Sequence, residues 1–370
     1  MRIGLLSPHY AYNYGAVLQA FALKTHLRSR GHDAVILNRR PAYHCAIPSL
    51  SGRMARRLEV LSKRRSFGAF ERRFLQPQTA PVVHEADWEQ LPAFGLDAVV
   101  VGSDQVWRDD YAFTSFGYNM FLDFADRCPQ LRRIAYAPSL GKESWNSTPE
   151  REARVRQLLH KFSAISVREH TSVPILRDKF GVEATAVVDP TLLLDAADYT
   201  RILGIDTTPR RRVAAYILDY DSAYAAILDH TAHATGMPVS TIGVKSPSGA
   251  ASVLLNRFRC MTPVTEWVRR IASAQYVVTN SFHGMVFAII FRKQFVVFMN
   301  NERGAARFKS LLGMFGLESR LVAKDSDCYT DVLLTPIDYA RAEAEIRRWQ
   351  AHSAAWLDAA LAGITKEKQP

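Results

Sequence analysis

Tyr276-Val277-Val278-Thr279-Asn280-Ser281-Phe282-His283-Gly284 runs from a short apolar strand straight into a polar turn. An apolar helical run follows from Met285 to Phe291, and a second apolar strand spans 295–298. Strand, polar turn and helix is the arrangement in which α/β proteins hold ligands, because the turn lies at the carboxyl end of the strand. The first N–H groups of the next helix are unpaired there and favour an anion. A histidine at that start can donate to a phosphate or carboxylate, or move a proton near neutral pH. Gly284 permits close approach of backbone or ligand. A lone histidine in such a place would more simply cap the helix and pack. Here Thr, Asn, Ser, His and Gly lie together between two apolar runs, which points to a site.

Outward from this stretch the chain alternates strands and helices. Strands are predicted over 2–7, 34–38, 97–101, 133–137, 164–167 and 184–188. Helices are predicted over 15–30, with Gly31 as C-cap, over 149–162 with Pro149 at the start, and over 170–180. The polar run Thr207-Thr208-Pro209-Arg210-Arg211-Arg212 then breaks the pattern and reads as a linker. A second set of strands follows over 213–218, 239–242, 276–278 and 295–298. Short links between alternating elements imply parallel sheets with helices on both faces. The expected fold is α/β, with two doubly wound Rossmann-like domains facing a cleft. The first covers 1–206 and the second 207–337. A last helix from about 338 to 361 carries Tyr339, Ile346, Trp349, Trp356 and Ala360 at helical spacing. It belongs to a C-terminal segment, 338–370, expected to pack back on the first domain, with a frayed tail at 366–370.

Composition narrows the class. The chain has 370 residues, 48% of them hydrophobic and 22% charged, enough for two full cores. No apolar run is long and charge-free enough to span a bilayer, and the N-terminus reads as a core strand and not a signal peptide. Cys45, Cys128, Cys260 and Cys328 lie far apart with no CxxC spacing, so they read as reduced thiols in a cytoplasmic protein. HExxH and other metal spacings are absent, and no metal is expected. The net charge of +11 concentrates at 53–73, where Arg53, Arg56, Arg57, Lys63, Arg64, Arg65, Arg72 and Arg73 interleave with Leu58, Val60, Leu61, Phe67 and Phe70. A solvated helical face is the plain reading. A peripheral contact with anionic lipid head groups is the next. Nucleic acid is not expected, because no nucleic-acid module accompanies the charge.

Six further motifs stand in order with Thr279-Asn280-Ser281-Phe282-His283-Gly284. They are Asn13-Tyr14-Gly15-Ala16-Val17-Leu18-Gln19-Ala20, Gly102-Ser103-Asp104-Gln105-Val106-Trp107, Ala135-Tyr136-Ala137-Pro138-Ser139-Leu140-Gly141, Ser166-Val167-Arg168-Glu169, Val188-Asp189-Pro190-Thr191-Leu192 and Ala306-Arg307-Phe308-Lys309-Ser310-Leu311-Leu312. Together the motifs resemble the polysaccharide pyruvyl transferase family over roughly residues 3 to 320. The resemblance implies a GT-B-like arrangement. It also implies an enzyme that moves pyruvate from phosphoenolpyruvate onto a sugar as a ketal, releasing phosphate, in polysaccharide and cell-envelope synthesis. Phosphoenolpyruvate would be a donor substrate, with no separate cofactor. The acceptor would be a sugar of a polysaccharide or of its lipid-linked precursor. The alternatives are a GT-B glycosyltransferase using a nucleotide sugar and a non-catalytic carbohydrate-binding protein on the same fold.

Residue roles follow from that chemistry. Arginine pairs bidentately with carboxylate and phosphate, so the resemblance assigns Arg168 and Arg307 to the donor anions, with Asn280, Ser281 and Gly284 beside them. Arg303 and Lys309 are near enough in sequence to replace Arg307. The alternative for Arg168 is an ion pair with Glu169 or Asp178. His283 is the donor-side acid or a phosphate ligand. On the acceptor side stand Asn13, Tyr14, Asp104, Gln105, Trp107 and Ser139: a carboxylate, amides and aromatic faces suit a sugar. Two roles stay open for Asp104, a base for the acceptor hydroxyl or a cap. Asn13-Tyr14-Gly15-Ala16 lacks GxGxxG, so no dinucleotide is expected. Asp189 in its Asp-Pro-Thr turn is expected to be structural.

Overall fold

The computed structural model describes residues 1–40, 54–113, 117–242, 262–299 and 304–363, with the side chains of 54–63 left out. Two parallel sheets form the frame. The first contains β1 (Arg2–Leu6), β2 (Asp33–Ile36), β3 (Ala98–Val101), β4 (Arg132–Ala135), β5 (Ala164–Val167) and β6 (Thr185–Ala186), in the order β2-β1-β3-β4-β5-β6. The second contains β7 (Arg210–Tyr216), β8 (Val239–Thr241), β9 (Ala274–Thr279), β10 (Gln294–Phe298) and β11 (Leu321–Val322), in the order β11-β10-β9-β7-β8. Strands such as Ala98-Val99-Val100-Val101 are apolar at every position because helices or turns cover both faces.

In each sheet the order reverses beside its first strand, between β1 and β3 and again between β7 and β9. Ligands of doubly wound folds bind at such points, outside the carboxyl ends of the strands. The helix Tyr14–Ser29 starts after β1, and the helix Phe282–Ile290 starts after β9. Both lead motifs therefore sit at reversal points.

Several expected elements change in extent. The predicted strand at 184–188 pairs only over Thr185–Ala186. The predicted helix at 170–180 is a short helical turn, Ser172–Ile175, that widens over Leu176–Phe180 and ends at Gly181 with φ +71°. The run expected as a linker is partly strand: β7 begins at Arg210, which aligns with Ala274, and the register shifts before Val213. Cys45, Cys260, Arg53, Arg303 and the 366–370 tail lie outside the described residues. So do the side chains of Arg56, Arg57, Leu58, Val60, Leu61 and Lys63. In the described end of the basic helix, Phe67 and Phe70 are buried, while Arg65, Arg72 and Arg73 are exposed. Among the described residues no helix is long and apolar enough to cross a membrane.

Among the described residues, contacts near the site and behind it fasten the two halves. Near the site, Tyr14 stacks on Trp267 at 5.2 Å and meets Tyr216 edge-on at 5.8 Å. Its hydroxyl donates to the Thr262 carbonyl at 2.7 Å. Behind the site, the helix Tyr339–Ala362 spans both halves. Tyr339 donates to the Lys293 carbonyl of the second half, at 2.6 Å. Farther along, Gln350 donates to the Leu192 carbonyl at 2.7 Å, and Val188 N–H donates to Ser353 Oγ at 3.0 Å. Arg30 closes on Asp358 near the end. The helix thus returns to the first half through polar contacts with the backbone at Val188 and Leu192, just past β6, and with Arg30.

Ser353 is buried, so Ser353→Ala removes an acceptor and strands the Val188 N–H. The expected cost is about 1–3 kcal/mol, measured by denaturant unfolding. A change within a few tenths would show that the helix holds without this bond.

Candidate functional site

The His283 turn is built from local rules. Thr279 Oγ1, at the end of β9, donates to the Tyr216 carbonyl at 2.6 Å and accepts Ser281 N–H at 3.0 Å. Ser281 is the N-cap and accepts Gly284 N–H at 3.4 Å. Asn280 Oδ1 accepts Leu218 N–H at 2.7 Å. Gly284 is needed for packing inside this turn, because a Cβ there would sit 2.3 Å from Thr279 Oγ1. His283 is carried out of the turn into the first half. Its ring lies so close to Gly15 that a Cβ at Gly15 would sit 2.0 Å from His283 Nδ1. The side chain is 6% exposed, and Nε2 is 3.7 Å from Asp189 Oδ2.

Asp189 is the group that sequence reasoning placed among structural turns. Its Oδ1 accepts the Thr191 hydroxyl at 2.6 Å and Thr191 N–H at 3.0 Å, the expected Asp-Pro-Thr turn. Its Oδ2 does more: it accepts Arg168 Nη1–H at 2.8 Å and faces His283. Ser103 Oγ shares its proton between this oxygen at 2.9 Å and the Ala137 carbonyl at 2.7 Å. Burial alone would raise the Asp189 carboxyl. The His283 imidazole, the Arg168 guanidinium and the Thr191 hydroxyl outweigh that and hold it well below the usual carboxylate range. The firmer partner is Arg168, since 3.7 Å is ion-pair distance and not a hydrogen bond. The signal was present in the sequence: Asp189 follows a strand of the first sheet at its carboxyl end, as Asp104 and Arg168 do.

Arg168 is 2% exposed and also reaches Glu169 Oε1 through Nε at 3.3 Å. The ion-pair partners are therefore Asp189 and Glu169; Asp178, the other expected partner, pairs with Arg177 instead. Burial would lower the Arg168 guanidinium, but Glu169, Asp189 and Asp104 together raise it. Its Nη2 makes no hydrogen bond among the described residues. Arg307 is 5% exposed, beside Phe282 and Phe308. His283, Arg168, Arg307 and Asp189 thus converge from both halves.

The acceptor-side candidates divide. Asp104 is half-buried with φ +82°, and Tyr12 and Ala137 also have positive φ, +47° and +57°. These three non-glycine residues stand just past the carboxyl ends of β1, β3 and β4. Such conformations are uncommon, cost free energy and gather at functional sites. The Asp104 carbonyl accepts Ser139 N–H at 2.9 Å, and its carboxylate accepts Gln105 N–H at 2.9 Å. No helix follows directly, so the carboxylate caps only its own turn. Ser139 is buried and donates to Glu169 at 2.6 Å. Gln105 accepts from Arg108 at 2.9 Å. Asn13 is exposed and caps the first helix through Gly15 N–H at 2.9 Å. Trp107 and Tyr14 lie elsewhere than a sugar-stacking role needs. Trp107 is 1% exposed, stacks on Phe121 at 5.5 Å and donates to the Met120 carbonyl. Tyr14 is consumed by the contact between the halves. Among the described residues no group of three or more His, Cys, Asp or Glu is placed to hold a metal ion.

Asp189→Asn tests the buried charge through pH. The native Asp189 carboxyl titrates below its unfolded value of about 3.9, so its contribution is full above that pH and is lost as pH falls below it. The difference in melting temperature between wild type and variant should be full above about pH 4 and shrink steadily as pH falls below it, because the native carboxyl titrates far lower still. Parallel curves would remove the carboxylate from this account.

Comparison with solved structures supports the two-sheet architecture. Staphylococcus aureus MnaA, solved with UDP, matches at 11% identity and TM-score 0.54, covering 100% of this chain and 99% of that one. A UDP-N-acetylglucosamine 2-epimerase described as putative, from Listeria monocytogenes, matches at 10% identity and TM-score 0.54, covering 100% and 98%. An O-GlcNAc transferase mutant from Thermobaculum terrenum matches 98% of this chain at 13% identity and TM-score 0.45, and the match spans 66% of that protein. At such identities the likeness to the first two is one of fold, the GT-B arrangement. A comparison with curated protein sequences finds no match. The profile of one family, polysaccharide pyruvyl transferase, matches residues 13–302. That span holds every motif from Asn13 to His283, and the chain belongs to the polysaccharide pyruvyl transferase family.

Proposed function

We propose that the protein transfers pyruvate from phosphoenolpyruvate to two hydroxyls of one sugar, forming a ketal and releasing phosphate. The observation that carries this reading is the meeting of His283 with Arg168, Arg307 and Asp189 at the carboxyl edges of both sheets. The donor has a carboxylate and a phosphate, and the cluster offers two guanidinium groups and an imidazole. A proton goes to the methylene carbon of the donor, which becomes a methyl group. The adjacent carbon turns electron-poor, one sugar hydroxyl adds to it, and phosphate leaves. The second hydroxyl then closes the ketal. Of the two protons released, one balances that given to the methyl group and the other departs with phosphate.

His283 serves the donor, as the acid or as the phosphate's partner. Asp189 holds the imidazole from behind. Asp104 takes a proton from the acceptor, and its strained backbone supports that role. Ser281, Asn280 and the helix start complete the anion side; Gln105, Ser139 and Asn13 edge the acceptor side. The arginines and His283 are almost fully covered, so the donor reaches them with the halves apart and closure excludes water. The acceptor is a sugar of a polysaccharide or its lipid-linked precursor. Exposed Arg65, Arg72 and Arg73 support contact with anionic lipid during that encounter.

The test is incubation with phosphoenolpyruvate and a panel of glycans, reading phosphate release and ketal formation by mass. Release of nucleotide from a nucleotide sugar, with no phosphate from phosphoenolpyruvate, would replace the reading with glycosyl transfer.

His283→Gln keeps a polar side chain beside Gly15 and should lower turnover by about 10²-fold or more, with little change in melting temperature. Wild-type turnover would exclude His283 from the chemistry.

Asp104→Asn separates base from cap. Asparagine tolerates positive φ and can still accept Gln105 N–H. Fold and donor binding should persist while transfer falls by about 10²-fold or more. Near-normal transfer would leave Asp104 as a turn residue alone.

A further inference from the structure

We infer that Phe282 sets the spacing of the two arginines, and so makes the site select a small molecule with two anionic heads over one with a single head. The inference rests on the phosphoenolpyruvate reading above. Phe282 comes from the second half, next to His283, and is 1% exposed. The Arg168 guanidinium, from the first half, lies 4.2 Å from its ring centre. The Arg307 guanidinium, from the second half, lies 5.7 Å from the same centre. Both are within cation–π range. The two guanidinium carbons are therefore no farther apart than the sum of those distances, about 10 Å.

Two like charges held this close and shielded from water repel. The Phe282 ring offers each an attractive face, in addition to the carboxylates that hold Arg168. Arg168 is otherwise fixed by Asp189 and Glu169, yet Nη2 remains buried without a hydrogen bond among the described residues. That leaves it a donor to spend on a ligand. Phe308 supports Arg307 from the side, at 5.2 Å, and packs edge-on against Phe282 at 6.1 Å. The spacing exists only with the halves together, because Arg168 and Phe282 belong to opposite halves. A carboxylate alone or a phosphate alone engages one arginine. A molecule carrying both engages the pair.

The experiment compares affinities of the full-length protein for phosphoenolpyruvate, inorganic phosphate and pyruvate by calorimetry. Wild type should bind phosphoenolpyruvate at least tenfold more tightly than either single-headed anion. Phe282→Leu, which removes the ring, should cut that ratio by about tenfold, and Phe282→Tyr should restore most of it. Phe287→Leu, a buried aromatic in the same helix away from the arginines, controls for loosened packing and should leave the ratio intact. A wild type without the preference overturns the donor reading itself, and the spacing role with it. A wild type with the preference that Phe282→Leu retains overturns only the role of Phe282. An equal loss of preference in Phe287→Leu overturns that role as well, by assigning the effect to packing.

Discussion

The bond between Asp189 and Arg168, 2.8 Å long and wholly buried, is the constraint from which the site takes its form. Neither ion could stay charged in the interior alone, and a pair that loses one member typically costs about 3–5 kcal/mol. The surroundings therefore satisfy nearly every remaining lone pair and proton. Thr191 occupies one Asp189 oxygen, while Ser103, Arg168 and His283 surround the other. Glu169 takes the Arg168 Nε–H and is itself held by Ser139 and Ser172. One arginine thus answers two carboxylates. From the second half, His283 Nε2 faces the same Asp189 oxygen at 3.7 Å.

Contact between the halves is made at glycines. His283 meets Gly15, and a Cβ on Gly304, at φ +90°, would strike the Gly141 carbonyl at 1.9 Å. A methyl group at either place would hold the halves apart. Close approach matters because ion pairs and cation–π contacts strengthen as water leaves. The aromatic stack of Tyr14, Trp267 and Tyr216 gives the same approach an apolar edge. The helix Tyr339–Ala362 keeps the far side fastened. The halves are tied behind the site and meet through small residues in front of it, which suits a cleft that opens on one side.

Backbone strain falls in the same region. Asp104 and Ala137 hold positive φ at the ends of adjacent strands, and the Asp104 carbonyl and Ser139 N–H tie their loops together. Gln19 in the first helix accepts Ser103 N–H at 3.2 Å and fixes the start of the strained turn. The Asn13, Asp104 and Ser139 motifs, far apart in sequence, thus form one rigid ledge above the first sheet.

Local chemistry determined much of this protein before any tertiary contact is considered. Short apolar runs such as 98–101 and 295–298, bounded by turn residues, fit strands buried on both faces. Their alternation with helices dictates parallel sheets, and the polar turn at 279–284 marks a carboxyl edge. Proline at 149 and glycine at 31 act through their own φ preferences, so the ends they mark needed no partner. Tertiary structure decided what depends on distance between remote residues. Trp107 reads as a sugar platform until Phe121 and Met120 close over it, and Tyr14 as a ligand contact until Trp267 stacks on it. Asp189 reads as a turn because its bonds to Thr191 are local, whereas those to Arg168 and His283 cross the fold. Gly15 and Phe282 carried no chemical signal of their own: one matters for the space it leaves, the other for the two cations it holds near each other.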